Sequence, residues 1–108
     1  MKRVVVTGIG IVSSLGNNKN EVAASLRQGK TGVRFSEEYA EIGFRSQVHA
    51  PLTIEPDERI DRKIRRFMGE GAAYNYLAME EAIADAGLAE NEVSNPRAGL
   101  IMGSGGPS

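Results

Sequence analysis

Five cations crowd one short stretch of this chain: Arg59, Arg62, Lys63, Arg65 and Arg66. Guanidinium and ammonium groups at this density bind anions, either a phosphate or the carboxylates of an acidic protein surface. Apolar spacing predicts a long helix from about Asp61 to Ala86. On it, Arg59, Lys63 and Arg66 share one side, with Arg62 beside them. Cations at a helix N-terminus oppose the macrodipole, by about 0.3–1 kcal/mol each, and like charges one turn apart repel. Asp57, Glu58 and Asp61 offset this only in part. A charge run is ordinarily a solvated helix face, and an anionic partner is the reading that would explain cations at the unfavourable end. The residues alone leave both open.

Two glycine-rich turns offer other chemistry. Gly8-Ile9-Gly10 follows the apolar run Val4-Val5-Val6, as in dinucleotide-binding folds. That chemistry needs a third glycine to pack helix on strand, and here the position is Ser13. A structural turn therefore outweighs a nucleotide site. Gly103-Ser104-Gly105-Gly106 has the composition of a phosphate-cradling nest, but no Lys-Ser/Thr follows it, which excludes a P-loop. It reads equally as a strand-end loop and as part of a site at the end of a parallel strand. His49, the only histidine, has no acidic or nucleophilic partner at a recognisable spacing and reads as incidental. With no cysteine, disulfides, a thiol nucleophile and thiolate metal sites are all excluded, and metal ligation has no support.

The elements that must carry these residues come in a clear order. Residues 3 to 12 read as a first strand rich in β-branched residues, with Gly8 and Gly10 marking close backbone approach or a bulge. Asn17, Asn18 and Asn20 are N-cap candidates for a short helix with Val22, Ala23 and Leu26 on one face, ended by Gly29. Residues 30 to 56 are punctuated by Gly32, Gly43, Pro51 and Pro56 and read as a structured surface excursion, with a short edge strand over 44–48. In the long helix, Gly69 and Gly71 each cost about 1 kcal/mol relative to alanine and mark a kink or close helix packing. Gly87 ends that helix, Asn95-Pro96 turns the chain, and residues 98–102 form a second strand.

Strands this uniformly apolar are covered on both faces in parallel α/β sheets, and two of them cannot build one. The 108 residues thus read as the first part of a larger α/β enzyme, ending before its chemistry. Composition is that of a soluble globular protein: 41% hydrophobic, 25% charged, with a formal net charge of −1. Nothing global points to nucleic acid. No apolar run reaches the ~18 residues of a membrane span. Thr7, Gly8 and Gly10 interrupt the apolar opening, which argues against a signal peptide and for a cytoplasmic protein with an intact N-terminus.

Taken together, the opening Arg3-Val4-Val5-Val6-Thr7-Gly8-Ile9-Gly10-Ile11-Val12-Ser13-Ser14-Leu15-Gly16-Asn17, the run Ile60-Asp61-Arg62-Lys63 with Arg66-Phe67-Met68, the stretch Ala82-Ile83-Ala84-Asp85-Ala86-Gly87-Leu88 and the Gly103-Ser104-Gly105-Gly106 loop resemble the β-ketoacyl-acyl-carrier-protein synthases. The resemblance covers essentially the whole chain, in order, and is nearest to the type I elongating form of bacterial fatty acid synthesis. It implies an α/β, thiolase-like fold in α-β-α-β-α layers. Residues 1–108 would supply only the N-terminal part of its first half. It implies an acyltransferase that condenses acyl- and malonyl-loaded acyl carrier protein with loss of carbon dioxide. That enzyme needs no cofactor or metal and works as a homodimer through a cysteine, two histidines and a lysine. None of those catalytic residues is present, and His49 matches none of them, so a thioester intermediate cannot form on this segment. What carries over is docking of the carrier protein by Arg62, Lys63 and Arg66, and an acyl-pocket and dimer-contact loop at Gly105, Gly106 and Pro107, where Pro107 replaces the family's frequent glycine. A non-catalytic carrier-docking module is the alternative reading, and a nucleotide-binding domain the third.

Overall fold

The computed structural model describes residues 1–105, so Gly106 and Pro107 lie outside the described residues. The chain divides into two compact units, one made of Val12–Ile54 and the other of Met1–Ile11 with the residues from Glu55 onward.

The unit Val12–Ile54 begins with a tight turn in which Ser13 and Gly16 exchange both backbone hydrogen bonds, at 3.0 and 3.2 Å. Helix α1 (Lys19–Arg27) follows, and of the three candidate caps Asn18 is the one used. The Asn18 Oδ1 accepts from the Glu21 backbone N–H at 3.0 Å, while the Glu21 carboxylate accepts from the Asn17 N–H at 2.7 Å. These bonds satisfy donors that the first helical turn cannot satisfy itself. Of the expected apolar face, Val22 is buried but Leu26 is largely exposed. Strand β1 (Arg34–Phe35), helix α2 (Glu37–Ile42) and strand β2 (Val48–His49) complete the unit. The strands pair antiparallel, Arg34 opposite His49 and Phe35 opposite Val48. Buried Ser36 caps α2 by accepting from the Tyr39 N–H. The surface excursion is thus structured, as expected, with its edge strand shifted to Val48–His49.

The second unit holds α3 (Pro56–Arg59), α4 (Arg62–Arg65), α5 (Glu70–Ala86) and α6 (Glu90–Val93). The single helix expected over 61–86 is two helices. Gly69 takes an extended conformation as the N-cap of α5 (φ −71°, ψ 169°), so the chain breaks there rather than bending. Ala73 and Leu77 of α5 are buried, and α3 packs along it. Gly87, at φ +67°, closes α5 in the left-handed conformation that glycine adopts without steric penalty.

The two expected strands do not form ladders among the described residues, and the one sheet has two short strands. The expected α-β-α-β-α layers are therefore not built here. A strand exists only through a partner, and none lies beside residues 3–12 or 98–102. Val4 is 93% exposed and Ile101 97%. Residues 8–11 lie instead against α5. The Ile9 and Ile11 backbone N–H groups donate to the carboxylates of Asp85 (3.0 Å) and Glu81 (2.9 Å), one helical turn apart. A Cβ on Gly8 would sit 2.7 Å from the Ala86 nitrogen, and one on Gly10 would sit 2.7 Å from the Ala78 carbonyl carbon. The glycine pair is a close-approach device for a helix lined by Ala78, Ala82 and Ala86.

Candidate functional site

The basic run sits on the corner from α3 through α4 to the start of α5. Asp61 caps α4 through its Oδ1, which accepts from the Lys63 N–H at 2.8 Å. Because the helix breaks before Gly69, Arg62, Lys63, Arg65 and Arg66 do not stand at the N-terminus of a long helix. They make up most of a single turn whose C-cap is Arg66. The expected clash with the dipole of a long helix is therefore absent: α4 is a single turn, in which Arg62 directly follows the Asp61 cap. What remains of the argument for an anionic partner is crowding without neutralisation.

That crowding is uneven. Arg59, Arg62, Lys63 and Arg66 are exposed, whereas Arg65 turns inward. Arg62, Lys63 and Arg66 form no ion pair among the described residues. The Arg66 guanidinium lies 4.6 Å from the centroid of the exposed Phe67 ring, a separation at which the ring's face attracts a cation. Arg65 is saturated. Its Nε is 2.6 Å from the Asp57 Oδ1, one terminal nitrogen donates to the Met68 carbonyl at 2.7 Å, and the other pairs with the Glu70 carboxylate. Hydrogen bonding to Glu70 and the charge of Asp57 raise its pKa further above the ordinary value against the lowering effect of burial. Asp57, Arg62, Arg65, Arg66 and Met68 line an open cleft of about 430 Å³. This arrangement can hold an anionic group by charge and hydrogen bonding. Asp57, the carboxylate in its lining, is paired with Arg65.

The remaining candidates belong to other elements. Gly105 lies in an exposed bend, and a Cβ there or on Gly103 would meet nothing within 4 Å, so close approach at this loop is not observed. Gly106 and Pro107 fall outside the described residues. His49 stands in β2 rather than in irregular chain, its ring edge-on to Tyr39 at 5.6 Å between centroids. Among the described residues, no group of histidine, aspartate and glutamate side chains is arranged to hold a metal. No helix among them is long and apolar enough to cross a membrane. Sequence reasoning grouped Arg65 with the other cations and missed Glu70 and Asp57 as its partners. The spacing of Arg65 and Glu70 across a glycine break was the available signal.

The chain matches the family described as "Beta-ketoacyl synthase, N-terminal domain" over residues 1–107. It is 55% identical over 105 residues to the 3-oxoacyl-acyl-carrier-protein synthase 1 of Haemophilus influenzae, covering 97% of this chain and 26% of that protein. With the enzyme of the same name from Escherichia coli K12 it shares 54% identity, over 100% of this chain and 27% of that protein. Among solved structures it resembles the crystal structure of a β-ketoacyl synthase from Burkholderia phymatum STM815. The TM-score is 0.70 at 37% identity, over 85% of this chain and 23% of that one. The chain thus spans about a quarter of the length of these relatives.

Proposed function

The chain belongs to the β-ketoacyl synthase family, as its N-terminal domain, and from that membership we propose that it serves the decarboxylative condensation of acyl- and malonyl-loaded acyl carrier protein in fatty acid synthesis. Its own part is recognition. Arg62, Lys63 and Arg66 meet the acidic carrier protein, and Gly105, Gly106 and Pro107 belong to the loop beside the acyl pocket and dimer contact of a homodimer. The nucleophile and its assisting histidines and lysine come from residues beyond these 108, because the chain has no cysteine and the thioester step requires one.

The observation that carries this reading is the exposed, un-neutralised trio Arg62, Lys63 and Arg66 beside the neutralised Arg65. Exposed cations of one sign steer and orient an oppositely charged protein. Its test is Lys63→Glu with Arg66→Glu, assayed in the longest form of the protein that the cell makes. KM for carrier-bound substrates is expected to rise about tenfold or more, with turnover of small thioester analogues nearly unchanged. Equal losses on both substrate classes would remove the docking role. The missing nucleophile favours a second reading, a docking module that binds the carrier without catalysis. It predicts carrier binding by these 108 residues alone.

A further inference from the structure

Arg65 differs from the four other cations of its run. Its side chain is only 15% exposed, and it meets three oxygen partners. Its three acceptors come from three successive pieces of backbone: Asp57 from α3, the Met68 carbonyl from the link after α4, and Glu70 from the first residue of α5. One rigid, planar fork therefore ties together the elements on either side of α4.

Helix α4 needs such a tie. It is a single turn with no buried residue, and an isolated turn fixes more backbone than its hydrogen bonds repay. Ile64 is half out in solvent, and Arg62, Lys63 and Arg66 repel one another. The Asp61 cap and the Arg65 fork are the polar contacts that oppose that repulsion. Exposed ion pairs contribute little singly, but here the guanidinium is shielded and its acceptors are three. Charge points the same way. Asp57 and Glu70 carry two negative charges against the one positive charge of Arg65, so this cluster adds nothing to the attraction of an acidic partner. It subtracts from it. A surface made for field strength alone would do better without the two carboxylates, whereas a surface made for geometry needs them.

We propose that Arg65 is a positioning residue, a clamp on Asp57, Met68 and Glu70 that fixes α4 so that Arg62, Lys63 and Arg66 are presented to an acidic protein as one surface. The inference rests on the docking reading above and deepens it.

The clamp and simple electrostatics predict opposite signs. Glu70→Gln and Asp57→Asn each remove a negative charge beside the basic surface. Field strength alone then gives tighter binding of the acidic carrier protein. Loss of the clamp gives weaker binding, by about fivefold for either variant, in the range of coupled neighbours in one network. Arg65→Lys retains the charge but cannot span two carboxylates and a carbonyl, so its affinity is expected to fall with that of Arg65→Gln. The measurement is the Kd for acyl-loaded carrier protein in the longest natural form of the protein. Amide hydrogen exchange over residues 62–68 is followed in the same variants and is expected to quicken. Unchanged or tighter binding in Glu70→Gln, wild-type affinity in Arg65→Lys, or unchanged exchange in the isosteric Glu70→Gln each overturns the clamp. If charge reversal at Lys63 and Arg66 leaves carrier binding intact, the docking reading fails instead, and the exchange data still decide whether Arg65 holds α4.

Discussion

At the scale of single residues, the environment of a charge rather than its type decides what it can do. Arg65 and Arg66 are adjacent in sequence, yet one is enclosed by carboxylates and the other stands over an exposed ring. Tyr74 lies close to the same cluster. Burial first, then the Glu70 carboxylate, raises its pKa, and Arg65 opposes the shift. An acid whose folded pKa is raised contributes stability that is intact below the unfolded value, about pH 10, and lost as pH rises through the folded one. Alkaline unfolding is therefore expected to steepen above about pH 10, and Tyr74→Phe should flatten it. Tyrosinate absorbance across a pH titration of the wild type and the variant checks this. Asn18→Ala should cost about 1 kcal/mol through the lost cap of α1, read from the shift of a denaturation midpoint in the longest form of the protein that the cell makes. That a cap stood at 17, 18 or 20 was legible in the sequence. Which asparagine served was decided by where the Ser13–Gly16 turn releases the chain.

At the scale of elements, the glycines sort by what lies opposite them. Gly8 and Gly10 face the backbone of α5, whereas Gly71 faces open space. Gly10→Ala is expected to destabilise the packing of residues 8–11 on α5 by about 1–3 kcal/mol, the range for overpacked contacts. Gly71→Ala is expected to stabilise α5 by about 0.5 kcal/mol, from helix propensity alone. Denaturant unfolding of both variants, made in the longest form of the protein that the cell makes, gives the comparison, and equal effects would contradict it. The sequence marked all these glycines as unusual. Close approach was foreseen correctly at 8 and 10, whereas at 69 the expectation was a kink or close packing and the structure has a break between two helices. The break matters for the site, because it takes the cations off the N-terminal end of a long helix and puts them on a single turn of their own.

At the scale of the whole molecule, apolar surface is the dominant fact. The accessible surface is 8887 Å², against about 5,800 Å² for a self-contained monomer of this mass. The buried hydrophobic residues are few: Val22, Ile54, Ile60, Ala73 and Leu77 among the described residues. Val4, Val5 and Val6 at one end and Leu100, Ile101 and Met102 at the other stand uncovered. Contiguous apolar surface of this kind mediates association, and open strand edges invite pairing with other chains. The 108 residues prepared alone are expected to self-associate, bind a hydrophobic dye and melt without a sharp transition. Sedimentation with thermal unfolding checks this, and a cooperative melt from a monomer would contradict it.

The sequence by itself determined the family, the glycine stops at Gly29 and Gly87, the basic run and the absence of a thiol nucleophile. All of these are local: each depends on a residue type at a short spacing, and neighbouring chain atoms enforce it. Only the tertiary structure decided that Arg65 faces Asp57 and Glu70 while Arg62, Lys63 and Arg66 face solvent, because that division needs α3 and α5 brought to either side of α4. Only the tertiary structure decided that Ile9 and Ile11 are held by the carboxylates of α5 instead of by a neighbouring strand. A strand's identity lies in its hydrogen-bonded partner, and an apolar run carries no information about whether that partner is there.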